Sequence, residues 1–587
     1  MNFQVWAPNA KKVELILNRD NAEQRHSAQP LTPDAEPNSP TSGHWVVELP
    51  DADAPAGTRY KYSLDGNPPV PDPRSPSQPD GVHGWSATVD HSAYHWHDQP
   101  FTPKPLASAV LYELHVGTFT AEGTYTSAID KLDHLIDLGV THVELLPIAS
   151  FPGQQGWGYD GVSLYAPHAA YGTPTELKDF IAAAHDRGLG VLLDVVYNHL
   201  GPDGNYLGPF GPYFTDRYHT PWGSAVNVDE AGSTEVRAFF IENALMWLRD
   251  YHFDGLRLDA VHAIIDKSAV NFFEEMAERV TEFEALESRE VVLIAECDLN
   301  DPRYVRPHSH GGYGLDGHWC DDFHHALHAF FTGELDGYYA DYGRLADVAK
   351  ALEQAYVFDG QWSPFRQRHH GRPPVDILPS QLIVSAQNHD QIGNRALGER
   401  LPALVDEDAL RAIAALFLLS PFVPMLFQGE EWAASTPFQY FTDHVDKELG
   451  RLVTEGRRRE FSAFKSHSND VPDPQDPATF ERSKLDWAEI EKAPHAALLE
   501  WHKTLLTIRR EQLNGDNEDI AADVEYDDEA RWLTLRRGQL LIVCNLADQA
   551  QTIPIPPGDW KITLAHPATA TLTATIPAHA TLIAARS

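Results

Sequence analysis

Gly190-Val191-Leu192-Leu193-Asp194-Val195-Val196-Tyr197-Asn198-His199 is the stretch that decides the fold. Its first seven residues are apolar except for Asp194. An apolar run without alternation is what a strand covered on both faces needs, and such strands form parallel sheets. Upstream, Thr173-Pro174-Thr175-Glu176 reads as a capping box with proline at the first helical position. The helix it opens is stopped by Gly188. A helix feeding a buried strand is one unit of a β/α repeat.

The same alternation runs outward in both directions. Strands are expected at 110–115, 142–147, 190–196, 255–259, 291–296, 318–321, 382–386 and 423–427. Helices are expected at 129–138, 234–251, 267–284, 345–355 and 408–419. Eight strands alternating with helices predict an α/β fold, a (β/α)8 TIM barrel with long insertions. A doubly wound open sheet is the alternative, but no glycine fingerprint follows the first strand. Residues 197–232 form a Gly-, Pro- and aromatic-rich excursion whose length points to function. Its Tyr206, Phe210, Tyr213, Phe214 and Trp222 are divided between sugar platforms and loop core.

Both flanks are all-β. Short strands, several with period two, fill residues 1–90 and 516–587, which predicts an N-terminal and a C-terminal β-sandwich around a catalytic domain at 91–515. The Pro- and Asp-rich stretch 67–105 is expected to lie against the barrel.

Composition narrows the partners. The formal net charge of −40 argues against nucleic acid and anionic membrane, both of which call for a basic face. Three scattered cysteines give no disulfide framework and fit a reducing compartment. The first residues have neither a basic start nor a signal-length apolar core, and no apolar run is long enough to span a bilayer. A cytoplasmic protein is expected.

Chemistry gathers just past the apolar runs. The third strand ends Asp194-Val-Val-Tyr-Asn198-His199, the fourth Arg257-Leu-Asp259, the fifth Glu296, and the seventh Gln387-Asn388-His389-Asp390. In a barrel these all converge on one mouth. Arg257 and Asp259, two apart on a strand, project to the same side. A plain ion pair at a strand end is one reading; a carboxylate kept ionised for attack is the other. Two carboxylates on adjacent strands suggest glycoside hydrolysis, with Asp259 as nucleophile beside its arginine and the longer Glu296 as acid/base. Neighbouring strands lie ~5 Å apart, which fits the carboxyl separation of retaining enzymes.

These four segments together resemble the four sequence regions of the α-amylase superfamily, in the right order and on the right strands. The resemblance implies Asp259 as nucleophile, Glu296 as acid/base and Asp390 as the group that holds ring hydroxyls. It implies that His199, Arg257 and His389 line the subsite of the cleaved glucose, with Asp194 and Asn198 in support. Gly156-Trp157-Gly158-Tyr159-Asp160 is similar to the loop whose tyrosine stacks under that glucose, which adds Tyr159. Finer features, among them Phe3-Gln-Val-Trp6, Asp259-Ala-Val-His262 and Asp316 to His328, resemble the trehalose-releasing hydrolases of that superfamily. The implied partner is maltooligosyltrehalose or a related α-glucan, cut at the α-1,4 bond next to terminal trehalose. A glucan branching enzyme is the near alternative, and a non-catalytic glucan-binding protein the distant one.

The lysine that ordinary amylases commonly carry after the nucleophile is absent between Asp259 and Asp266, which marks His262 as a candidate contact. Asp322, Phe323 and His324, past the sixth strand, are candidates for holding the leaving trehalose. An acidic pair favoured by a helix dipole is the equal alternative for Asp322. His324 and His328 share a helix face, but no third metal ligand accompanies them, so neither a metal nor a cofactor is expected.

Overall fold

The computed structural model describes residues 1–19, 22–31, 42–97, 101–461, 471–513, 521–573 and 575–586. Eight parallel strands close a barrel: Leu111–Leu114, His142–Leu145, Gly190–Val195, Gly255–Leu258, Val292–Glu296, Gly317–Trp319, Leu382–Val384 and Val423–Phe427. They follow one another in chain order, and the eighth pairs with the first. Leu111, Leu192, Ile294, Ile383 and Met425 pack together in the interior, so the barrel is filled rather than hollow.

Local chemistry explains the elements. The third strand is buried at every residue, as its unbroken apolar run requires. Before it, the Thr173 side chain accepts from the Glu176 N–H while Glu176 accepts from the Thr173 N–H, closing the capping box of helix Pro174–His185. The helix expected at 267–284 begins later, at Phe272–Glu287. Asp266 accepts from the backbone N–H groups of Ser268 and Phe272 and pairs with Arg237, which holds 266–271 as a loop. Asn271 and Glu274 then cap the helix. The sixth strand stops at Trp319, and Asp321 is already the first residue of helix Asp321–Thr332.

The flanks are β-sheets, as expected. Asn2–Trp6, His44–Glu48 and Gln29–Pro30 form one sheet; Val13–Arg19, Ala22–Ser27, Arg59–Leu64 and Ser86–Ala87 form a second. At the other end a five-stranded antiparallel sheet contains Trp532–Arg537, Leu540–Asn545 and Thr581–Arg586. The stretch after residue 67 does lie on the barrel. His83 hydrogen-bonds Tyr206 and Asp203, and Trp96 stacks on His252 at 3.8 Å. Within the 197–232 excursion, Phe210 and Tyr213 are buried. Tyr213 packs on Trp6, and Phe210 on Tyr62, so these rings join the N-terminal sheets to the barrel. Among the described residues, no helix is long and apolar enough to cross a membrane.

Candidate active site

The C-terminal ends of the strands open into a cleft of about 510 Å³. Its floor is organised around one guanidinium. Arg257 and Asp194 stand side by side in register on the fourth and third strands. Arg257 Nη1 donates to both oxygens of Asp194 at 3.0 and 2.9 Å, and to Asp259 Oδ1 at 2.7 Å. The indole of Trp319 lies 4.2 Å from the guanidinium carbon and covers its face. Asp259 Oδ2 accepts from Asn198 Nδ2 at 2.6 Å, and the same amide donates to the Asp259 main-chain oxygen at 2.9 Å. Both side-chain oxygens of Asp259 therefore meet donors, a pattern that a carboxylate completes and a carboxylic acid does not.

Glu296 stands on the other side of the same arginine. Its Oε2 lies 3.7 Å from Arg257 Nη2 and accepts the Ala260 N–H at 2.6 Å. Ala260 adopts a left-handed conformation, with φ of +41°, which turns that N–H toward the glutamate. Burial pushes the Glu296 carboxyl up to about 7; Arg257 pulls it down, and Asp259 pushes it further up. One oxygen is held as an acceptor, so the other carries the proton of the neutral form. Asp194 is likewise pushed up to about 7 by burial, against the pull of Arg257.

His389 sits between a carboxylate and a hydroxyl, a pattern the imidazolium satisfies. Its Nδ1 faces Glu113 Oε1 at 2.5 Å, and its backbone N–H donates to Glu113 Oε2 at 2.9 Å. Its Nε2 faces the Tyr159 hydroxyl at 2.8 Å, whose own proton goes to Asp194 Oδ2 at 2.6 Å. With Asp194 ionised and holding the Tyr159 proton, both ring nitrogens donate. Burial lowers the His389 pKa, but the Glu113 charge and hydrogen bond outweigh it, and the net direction is upward. Asp390, the next residue, lines the cleft and accepts from Asn394 Nδ2 at 2.6 Å through Oδ1. His199 lies between Asn198 Oδ1 and the Tyr159 main-chain oxygen, and Trp222 stacks on its ring at 4.8 Å. Trp222 keeps 49% exposure and lines the cleft, as does His262.

The structure thus brings Tyr159, His199, Arg257, Asp259, His262, Glu296, His389 and Asp390 to one cleft. It does not bring Asp322, Phe323 or His324 there, which corrects the expectation of sugar contact. Because a helix starts at Asp321, that residue faces the cleft and the next three turn inward. Asp322 is buried and accepts from Asn300 Nδ2, the Tyr342 hydroxyl and the N–H groups of Val357 and Phe358. Phe323 packs on Phe422, and His324 stacks against His328. Sequence reading missed Glu113, although a carboxylate inside Leu111-Tyr-Glu-Leu114 is a signal in itself. It also missed Tyr440, Thr442 and Arg457, which line the cleft from a segment past the eighth strand that no motif marks. The one three-residue group of possible metal ligands among the described residues, Glu274, Glu278 and His308, lies outside the cleft and is largely exposed. Asn198 spends its amide on Asp259.

Residues 1–76 match the family model for carbohydrate-binding module 48 (isoamylase N-terminal domain), and residues 78–208 match that for the alpha amylase catalytic domain. The chain is 49% identical to the malto-oligosyltrehalose trehalohydrolase of Arthrobacter ramosus over 94% of each chain. It is 43% identical to the one from Saccharolobus solfataricus, over 92% of this chain and 90% of that one. A 1,4-alpha-glucan branching enzyme from Bacillus caldolyticus stands at 27%, over 93% and 77% of the two chains. The solved structure of a candidate alpha amylase from Salmonella typhimurium superposes with a TM-score of 0.90 at 36% identity, covering 100% of this chain and 97% of that one.

Proposed function

The chain belongs to the malto-oligosyltrehalose trehalohydrolase family of the α-amylase superfamily, and we infer that it hydrolyses the α-1,4 bond between a maltooligosaccharide and a terminal trehalose. It is a glycoside hydrolase, and α-glucans are its substrate class. The observation that carries the chemistry is the opposite poise of two carboxylates around one guanidinium. Asp259 has both oxygens held by donors, while Glu296 is pushed up to about 7.

Those states assign the roles. Glu296 gives its proton to the glycosidic oxygen as Asp259 attacks the anomeric carbon, and trehalose leaves. A β-linked maltooligosyl ester of Asp259 results. Glu296, now a carboxylate, takes a proton from water, which attacks the ester and restores the α configuration. Arg257 holds Asp259 in place throughout. Tyr159, His199, His262, His389 and Asp390 supply the polar and stacking contacts to sugar, with the His389 charge maintained by Glu113. The same reading divides the chain into a sandwich at 1–90, the catalytic barrel at 91–515 and a second sandwich at 516–587. It extends to work in the cytoplasm without a metal or cofactor, a compartment to which the three unpaired, buried cysteines are suited.

The test is product analysis on maltooligosyltrehalose. Trehalose release with retention at the new anomeric centre supports the reading. New α-1,6 branches with no trehalose would replace it with branching activity, and binding without turnover would replace it with a non-catalytic glucan-binding role.

A further inference from the structure

Past the eighth strand, helix Lys447–Phe461 lies over the cleft, and Arg457 is its buried cation there. The guanidinium carbon sits 5.2 Å from the ring centre of Tyr440 and 4.7 Å from that of Phe461, so its position is fixed by two aromatic neighbours. Arg457 Nη1 donates to Asn394 Oδ1 at 3.1 Å, and Nη2 donates to the main-chain oxygen of Gly393. Asn394 Nδ2 in turn donates to Asp390 Oδ1 at 2.6 Å.

The direction of this chain follows from donor chemistry. Arginine has donors and no acceptor, so the Asn394 atom that faces it must be the oxygen. The amide nitrogen then has to point at Asp390. Nothing in the backbone imposes that orientation. Trp157 holds the main chain of the short helix His389–Gly393, with ring atoms 2.0 Å from where a Cβ on Gly393 would lie. Asn394 follows that helix and its side chain is exposed. Without Arg457, only the Asp390 carboxylate would select the donor end of the amide, and the Asn394 oxygen would lose the buried donor that holds it in place.

We propose that Arg457 is a positioning residue for the reaction, orienting the Asn394 amide so that Asp390 presents one fixed carboxylate oxygen to the sugar. The inference rests on the role given to Asp390 above and adds a group that does not itself need to touch substrate. Asp390 works among other charges: Glu296 and Asp321 face it across the cleft, and His389 adjoins it. A repelling carbonyl added to that acidic surrounding is costly.

The experiment compares Arg457→Met, Arg457→Lys, Asn394→Ala, the Met/Ala double variant and Asp390→Asn, with kcat, KM and thermal melting measured for each. A hydrogen bond to a charged group is worth about 1.5–3 kcal/mol, so Arg457→Met and Asn394→Ala should each lower kcat by roughly 10- to 100-fold with KM little changed. The double variant should be no slower than Asn394→Ala alone, because both act through one amide. Arg457→Lys, which keeps a donor toward Asn394, should recover part of the loss. Asn394 is exposed, so its variant remains folded even if loss of Arg457 disturbs the helix. Full kcat in Asn394→Ala overturns the proposal. So does a raised KM in Arg457→Met that persists in the Asn394→Ala background, since that is the signature of direct sugar contact. If Asp390→Asn itself stays active, the reading of the site fails; if Asp390→Asn is inactive and Asn394→Ala is not, only the positioning role fails.

Discussion

Replacing Glu296 with Gln should abolish turnover and, at pH 8, make the protein more stable. Burial raises the Glu296 carboxyl from 4.5 to about 7, so the folded chain keeps a proton that the unfolded chain releases. Between those values the folded state binds more protons, and stability falls as pH rises. Below about 4.5 both states are protonated and the penalty vanishes; above about 7 it is complete. At about 1.4 kcal/mol per pH unit the full displacement corresponds to roughly 3 kcal/mol. The side chain retains 18% exposure on the open side of the cleft, so solvent screening reduces the expected gain to about 1.5–3 kcal/mol. Glutamine keeps the acceptor for the Ala260 N–H and removes the ionisation. For a barrel of this size, that gain amounts to a rise in melting temperature of about 2–3 °C at pH 8. Thermal melting of both proteins from pH 5.5 to 8.5 measures it, and the difference should shrink toward the acid end. A difference independent of pH, or a variant no more stable at pH 8, would refute the reasoning. The same ionisation sets the activity profile: kcat/KM of the unaltered protein should fall as pH rises through about 7, when the acid is lost.

Asp259→Asn removes the nucleophile but leaves an acceptor for Arg257 and a side chain of the same size; turnover of maltooligosyltrehalose should drop by several orders of magnitude with the circular dichroism spectrum unchanged. Asp322→Ala leaves the buried N–H groups of Val357 and Phe358 without their shared acceptor, so chemical denaturation should show a loss of roughly 2–4 kcal/mol while KM of the folded enzyme is preserved. Trp222→Ala removes an exposed ring from the cleft wall, where an aromatic face is worth about 0.5–1.5 kcal/mol, and steady-state kinetics should show KM raised by roughly 2- to 10-fold at constant kcat.

Much of the architecture was legible because it is written in local runs. Strands buried on both faces carry unbroken apolar residues, and all eight were found within a few residues of where periodicity places them. Boundaries failed where capping chemistry overrode propensity. Asp266 holds a loop ahead of Asn271, so the helix starts at Phe272 rather than at 267. Asp321 begins a helix in place of ending a strand, as the helix-dipole alternative for the acidic pair allowed, and Asp322, Phe323 and His324 turn away from the cleft because each residue on a helix turns about 100° from the last.

By itself, the sequence determined which strand ends carry acids, histidines and the arginine, and therefore where Asp259 and Glu296 would meet. Side chains at the ends of parallel barrel strands have little freedom to go elsewhere. Only the tertiary structure decided how those groups are poised. The burial that raises Glu296, the Glu113 that keeps His389 charged, and the Arg457 that turns Asn394 toward Asp390 all depend on contacts between segments far apart in the chain. Their proximity is set by how the barrel closes and how the helix beyond it packs back over the cleft, and no local pattern encodes that.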